Sequence, residues 1–291
     1  MAETAADLTF ARWNEHLHDA PETDVPDVVY HYTTAAGLLG ILSRKCVFFT
    51  DKHFLNDRTE VRHGTDAALA GLRKAAERSE SSDRALLDMT CSYIEAETTE
   101  RLFIFSMSER GDDLSQWRGY ADDGNGYTIG FDARHFRNVS ILAGAPFGFN
   151  RVSYSSTQFR HTVSSLSKEY IAADKTDADP DNTARCFSAS VEAAACFHKH
   201  NSFRFEREWR AVSYVYPEEP DEEILVRESA GRLIPYIEYP LCGEGNRLPI
   251  VEIGIGPLVR NPNARVAVID LCQRAEIEPR IYDASTPYVR Y

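Results

Sequence analysis

Val28-Val29-Tyr30-His31-Tyr32-Thr33-Thr34, then Ala35 to Lys45, then Val47-Phe48-Phe49-Thr50, is the stretch that decides the fold class. Its first run is rich in β-branched and aromatic residues and reads as a short strand. Thr33-Thr34 offers a helix N-cap, and Leu38, Leu39, Ile41 and Leu42 recur at helical spacing up to a basic end at Arg44-Lys45. Val47 to Thr50 returns to strand, and a polar loop from Asp51 to Asp57 follows.

The same mixture extends outward, with element boundaries good to about two to four residues. Helices are predicted over 58–77 and 83–98, a strand over Arg101–Ser106, a capped helix over Asp112–Tyr120 and a strand over Tyr127–Phe131 after the Asp122–Gly126 turn. Beyond lie a strand at Arg151–Tyr154, a helix at 157–172, a polar loop at Lys175–Asn182, a helix at 183–199 and a long strand at Glu206–Val215. Strands at 233–239, 250–255 and 279–284 and a helix at 262–274 complete the chain. There is no repeat, no linker and no regular βαβ beat. The expected fold class is α+β: an N-terminal extension over 1–27, then one domain over 28–291 with a split, twisted mixed sheet flanked by helices.

Composition narrows the function classes. The 291 residues carry 32 Lys+Arg against 45 Asp+Glu, a net charge of −13. Hydrophobic residues make up 43% and charged residues 26%, the mix of a globular chain and not of a disordered one. No apolar run approaches the roughly 18 residues of a membrane span, and the start, Met1 to His16, is acidic where a secretory leader is basic. The expected location is the cytoplasm, with no membrane contact. The acidic balance argues against a generic nucleic-acid coat, while a local basic groove stays open. Cys46, Cys91, Cys186, Cys196, Cys242 and Cys272 are scattered without a CxxC pair, so they read as small buried hydrophobes. Cys196, His198 and His200 alternate and would share a strand face, but three candidate ligands do not close a zinc site, and no metal is expected.

Four polar clusters stand at strand ends. His31-Tyr32-Thr33 either contacts a sugar hydroxyl and an aromatic ring or merely caps the next helix. The loop containing Asn56 and Asp57 either binds or forms Asx-turns. Ser106-Met107-Ser108 with Ser115-Gln116-Trp117-Arg118-Gly119-Tyr120 could hold a planar ring and a phosphate; equally, Trp117 is a core residue and Arg118 a surface partner of Asp112 or Asp113. In Phe205-Glu206-Arg207-Glu208-Trp209-Arg210, strand alternation would point Glu206 and Glu208 the same way. Such a pair suits glycosidic chemistry, or is a solvated face with Arg204 or Arg210 as counterion.

Read together, H-Y-T, F-F-T-D…F-L-N-D, F-S-M-S…S-Q-W-R-x-Y-A, G-x-x-I-G-F-D, F-x-x-E-x-E-W-R, I-G-I-G-P and S-T-P-Y resemble, from about 28 to 290, a large bacterial family of uncharacterised domains. That family is distantly similar to the ADP-ribosyltransferase superfamily. The resemblance implies an ADP-ribosyltransferase-like sheet and NAD as substrate, with His31 on the nicotinamide ribose and Tyr32 or Tyr120 stacked on the ring. Glu208 or Glu206 would be the catalytic carboxylate, with Thr33, Asn56, Ser106, Gln116, Trp117 and Arg118 around the dinucleotide. It further implies a macromolecular acceptor, nucleic acid or protein, and a place in a bacterial defence or toxin system with a cognate antitoxin or immunity partner. Water as acceptor would make an NAD hydrolase. A non-catalytic nucleotide-sensing or interaction module, and a nuclease or glycosidase using Glu206 and Glu208 without NAD, are the competing expectations.

Overall fold

A computed structural model describes residues 25–55, 58–96, 101–141, 147–175, 179–215, 224–229, 231–241 and 248–288. The first half runs β1 (Val28–Thr33), α1 (Ala35–Arg44), β2 (Cys46–Asp51), α2 (Arg58–Ala76), α3 (Ser81–Ala96), β3 (Arg101–Ser108), α4 (Leu114–Tyr120), β4 (Tyr127–Asp132), α5 (Ala133–Ser140) and β5 (Gly148–Arg151). The second half runs α6 (Ser156–Asp174), α7 (Pro180–Ala195), β6 (Glu208–Val215), β7 (Leu225–Ser229), β8 (Arg232–Pro240), β9 (Ile250–Ile255), α8 (Ala264–Arg274) and β10 (Arg280–Asp283).

Three differences from the sequence reading have local causes. Pro180 does not sit in a loop: Asp179 caps Asn182 N at 3.1 Å, and Pro180 occupies the first helical turn, where its missing N–H costs nothing. The same helix stops at Ala195, so Cys196 to His200 lie beyond it, and His198 forms a parallel bridge with Ser153 instead. The strand that follows begins at Glu208 and not Glu206, because Asn201–Glu206 is a 3₁₀ turn closed by Arg207 at a φ of 45°. Unpredicted elements are α5, capped by Asp132 right after β4, and β7, and the strand expected at Arg151–Tyr154 lies three residues earlier as the glycine-led β5.

The strands form one open, mixed ten-stranded sheet with the order β10-β9-β4-β1-β3-β2-β8-β7, and with β5 reached through β6. All pairings are antiparallel except β9 with β10. The sheet forks at β3. Along one edge β6 pairs with β3 from Arg101 to Ser108, whereas the opposite edge is shared: β2 pairs at Phe103 and Ile104, and β1 pairs at Ser108. Phe105, Ser106 and Met107 therefore have no strand partner on that edge, and β1 and β2 diverge around them.

Both faces of β3 and β6 are covered, which explains their near-continuous apolar runs. Leu102, Ile104 and Val212 pack into a core with α2, α3, α6 and α7. Phe103, Phe105, Met107, Trp209 and Ala211 pack on the other side, in a core that takes Leu38 and Leu42 of α1, Phe136 of α5 and Val268 of α8. Five of the six cysteines are described, and all five are free and buried; Cys242 lies outside the described residues. Among the described residues no helix is long and apolar enough to cross a membrane.

Candidate functional site

The fork opens into a cleft of about 390 Å³, within the size range of small-molecule sites. At its floor His31 Nδ1 lies 2.9 Å from the Ser106 carbonyl oxygen, the backbone position left without a strand neighbour. A carbonyl only accepts, so Nδ1 carries the proton and Nε2 is left as an acceptor. Burial pushes this imidazole down to about 4, against the Ser106 hydrogen bond and with help from the positive charge of Arg227. The ring, 4.6 Å from Phe105, is neutral at physiological pH.

A buried ionic network also lines the cleft. Arg210 grips Glu208 with both prongs, Nε to Oε1 at 2.6 Å and Nη2 to Oε2 at 2.9 Å, and its Nη1 donates to the Cys196 carbonyl at 2.6 Å. Lys199, 1% exposed, bridges Glu208 Oε2 at 3.3 Å and the Glu206 carboxylate, and lies over the Phe203 ring. Burial alone pushes the Glu208 carboxyl up, but the charges of Arg210 and Lys199 and hydrogen bonds from Arg210 and Ser106 outweigh it and hold the group down at about 2. Glu206 and Glu208 thus converge, though by a different route from strand alternation: a left-handed Arg207 turns the chain between them, and Lys199 offsets their repulsion. Of the two expected counterions, Arg210 serves, while Arg204 packs on Phe205. Tyr154 fixes the entry of β6 by accepting from Glu208 N at 3.0 Å.

The expected ring-and-phosphate cluster divides. Gln116 and Tyr120 of α4 line the cleft together with Thr33 and Ser106, and Tyr120 is 39% exposed. Trp117 does not; it is fully buried, its Nε1 donates to Asp112 at 2.8 Å, and its ring meets the edge of Tyr32 at 4.9 Å. Arg118 is also outside the lining, exposed on α4 with its guanidinium over Tyr288. Tyr32 belongs to the lining but is buried beside Trp117 and Ala121, and its hydroxyl donates to the Arg110 carbonyl and accepts from Asp113 N. Burial raises that phenol's pKa and so keeps it a neutral donor. A ring locked this way holds α4 in place. Asn56 lies outside the described residues.

Two other motifs serve the frame. Ser285 and Thr286 of the S-T-P-Y tail donate their backbone N–H groups to Asp112. In I-G-I-G-P, a Cβ on Gly256 would stand 2.4 Å from the Gly124 carbonyl oxygen, so only glycine lets these backbones meet. Around the Cys196, His198 and His200 alternation, His198 stacks on Phe159 at 4.5 Å and lies 5.5 Å from His63. Among the described residues no three His, Cys, Asp or Glu side chains are placed to hold a metal ion.

The cleft also contains residues the sequence reading did not single out for binding: Lys199, Arg227, Ser229 and Arg232. Lys199 stood inside an apparent helix end, and the arginines reach the cleft only through the pairing of β7 with β8 and of β8 with β2.

Residues 116–211 match a family model described as Protein of unknown function (DUF2971). The match runs from α4 through the Glu206–Arg210 segment, about a third of the chain, and agrees with the resemblance to an uncharacterised family. No curated protein and no solved structure matches the chain.

Proposed function

We propose that the cleft is an NAD-dependent glycosyl-transfer site of the ADP-ribosyltransferase type, acting on a macromolecular acceptor. One observation carries the reading: the carboxylate and imidazole facing the fork are both set against donating a proton at neutral pH. Glu208 is held ionised and His31 is held neutral, with its one N–H committed to Ser106. Hydrolysis of an ordinary glycoside needs a protonated acid for the leaving oxygen. Nicotinamide needs none, since it leaves as a neutral ring when the C1′–N1 electron pair returns to the pyridinium nitrogen. A glycosidase with Glu208 or His31 as its acid is therefore the weaker reading.

In the proposed step the C1′–N1 bond breaks, positive charge grows on the ribose, and Glu208 is the fixed anion beside it. His31 Nε2 accepts from a ribose hydroxyl, and Tyr120 supplies the aromatic face. The acceptor forms its new bond to C1′ and loses its proton to solvent; with water as acceptor the product is free ADP-ribose. A second reading draws on Arg210 and Lys199. They already neutralise Glu208, as suits a nucleotide-sensing module without turnover.

The test is nicotinamide release by the purified chain, with and without cell extract. Glu208→Gln should lower it about 10²–10³-fold, with Glu206→Gln milder and circular dichroism confirming that both variants fold. Heat on NAD titration with no nicotinamide from the parent protein would select the sensing module. A proposed cytoplasmic setting and a cognate antitoxin or immunity partner belong to the same reading, and co-purification from the native host tests the partner.

A further inference from the structure

Arg227 lies on β7, two strands beyond β2 in the sheet order, and lines the same cleft. Its guanidinium is held over the rings of Phe48 and Tyr236, 5.8 and 5.9 Å from their centroids, and Nη2 donates to Thr50 Oγ1 at 3.0 Å. Its Nε is buried without a hydrogen-bond partner, and among the described residues no carboxylate pairs with the side chain. Burial lowers the pKa of this guanidinium, a desolvation cost set against the two ring contacts, the Thr50 hydrogen bond and the charge of Tyr236, with no acid beside it among the described residues. The buried cations Lys199 and Arg210 of this protein of net charge −13, by contrast, each pair with an acid. Arg232 is exposed and lines the same cleft. In the hairpin register Arg227 faces Ile234 and Ser229 faces Arg232, which puts the two arginines diagonally on one face together with Ser229.

We infer that Arg227 and Arg232 form an anion clamp that takes the two linked phosphoryl groups of a diphosphate-bearing ligand. Each planar fork binds two oxygens side by side. Two forks rooted diagonally on a hairpin suit two joined phosphoryl centres better than one carboxylate, which cannot engage both forks in bidentate fashion. Stacking on Phe48 and Tyr236 fixes one fork in advance and lowers the entropy lost on binding. The clamp rests on the nicotinamide reading only for the cleft that the two share.

Calorimetric titration of the full chain with inorganic pyrophosphate, ADP, adenosine and succinate tests it. Pyrophosphate and ADP should bind, more weakly as salt rises, and adenosine and succinate should bind at least about tenfold more weakly than ADP. Arg227→Gln and Arg232→Gln should each weaken ADP about tenfold or more, while Arg118→Gln, outside the cleft, leaves it unchanged. Should Arg227→Gln fail to fold, the exposed Arg232 decides. Equal binding of adenosine and ADP, a match by succinate, or parental affinity in Arg232→Gln overturns the clamp. A chain that binds ADP through these arginines yet never releases nicotinamide keeps the clamp and loses the transfer chemistry.

Discussion

His31 stands where β1 and β2 diverge from β3, and its side chain makes a hydrogen bond to the Ser106 carbonyl on the edge that has no strand partner. The consequence is measurable as acid sensitivity. A folded-state value of about 4 lies below the ordinary 6.5, so the unfolded chain takes up the proton first and stability falls as pH drops from about 6.5 toward 4. The loss reaches at most about 3 kcal/mol. Glu208 adds a second limb: its contribution is complete above about 4.5 and disappears as pH falls toward 2. Urea midpoints between pH 7 and 4 should slope less in His31→Gln than in the parent. His135 and His198, also pushed down by burial, will leave some slope. Parallel curves for the two proteins would show that His31 is not held neutral.

Elements matter here through their ends. The turn from α7 to β6 delivers Lys199, Glu206, Glu208 and Arg210 to one spot, and neither helix nor strand alone would do so. Lys199→Met keeps the length of the side chain but removes the positive charge that bridges the two carboxylates. Breaking a buried pair from one side typically costs about 3–5 kcal/mol. Chemical denaturation at pH 7 should show a loss of that order, and a loss below about 1 kcal/mol would mean that water reaches the pair in the folded chain. Lys199→Arg, which retains the charge, should recover part of the loss.

At the scale of the whole molecule, the two cores share β3 and β6, one on each face. Neither the helical layer nor the sheet with α1, α5 and α8 can separate without exposing the apolar side chains of those strands. The expected result is one cooperative transition, with far-ultraviolet dichroism and tryptophan fluorescence coinciding and the calorimetric and van't Hoff enthalpies equal. Trp117 and Trp209 report the α4 cluster and the main core, while far-ultraviolet dichroism weighs the helical layer. Two resolved transitions would divide the chain into separate folding units.

The sequence by itself determined the α+β class, most of the elements and the buried cysteines, because those follow from period and local chemistry: apolar spacing in α1, strand composition in β1 and β3, the Thr34 cap. It also marked His31, Ser106, Gln116, Tyr120, Glu206 and Glu208, all of which meet in one cleft. Tertiary structure alone decided the rest. Whether Trp117 and Tyr32 offer a face or fill a core depends on Asp112 and the 110–113 turn folding over them. Whether an arginine reaches the site depends on tertiary placement: β7 and β8 pairing onto β2 from far along the chain brought in Arg227, while Arg118 stands exposed on α4 over Tyr288. Local periodicity carries no information about such pairings, since a strand records which of its faces is apolar and not which neighbour will lie beside it.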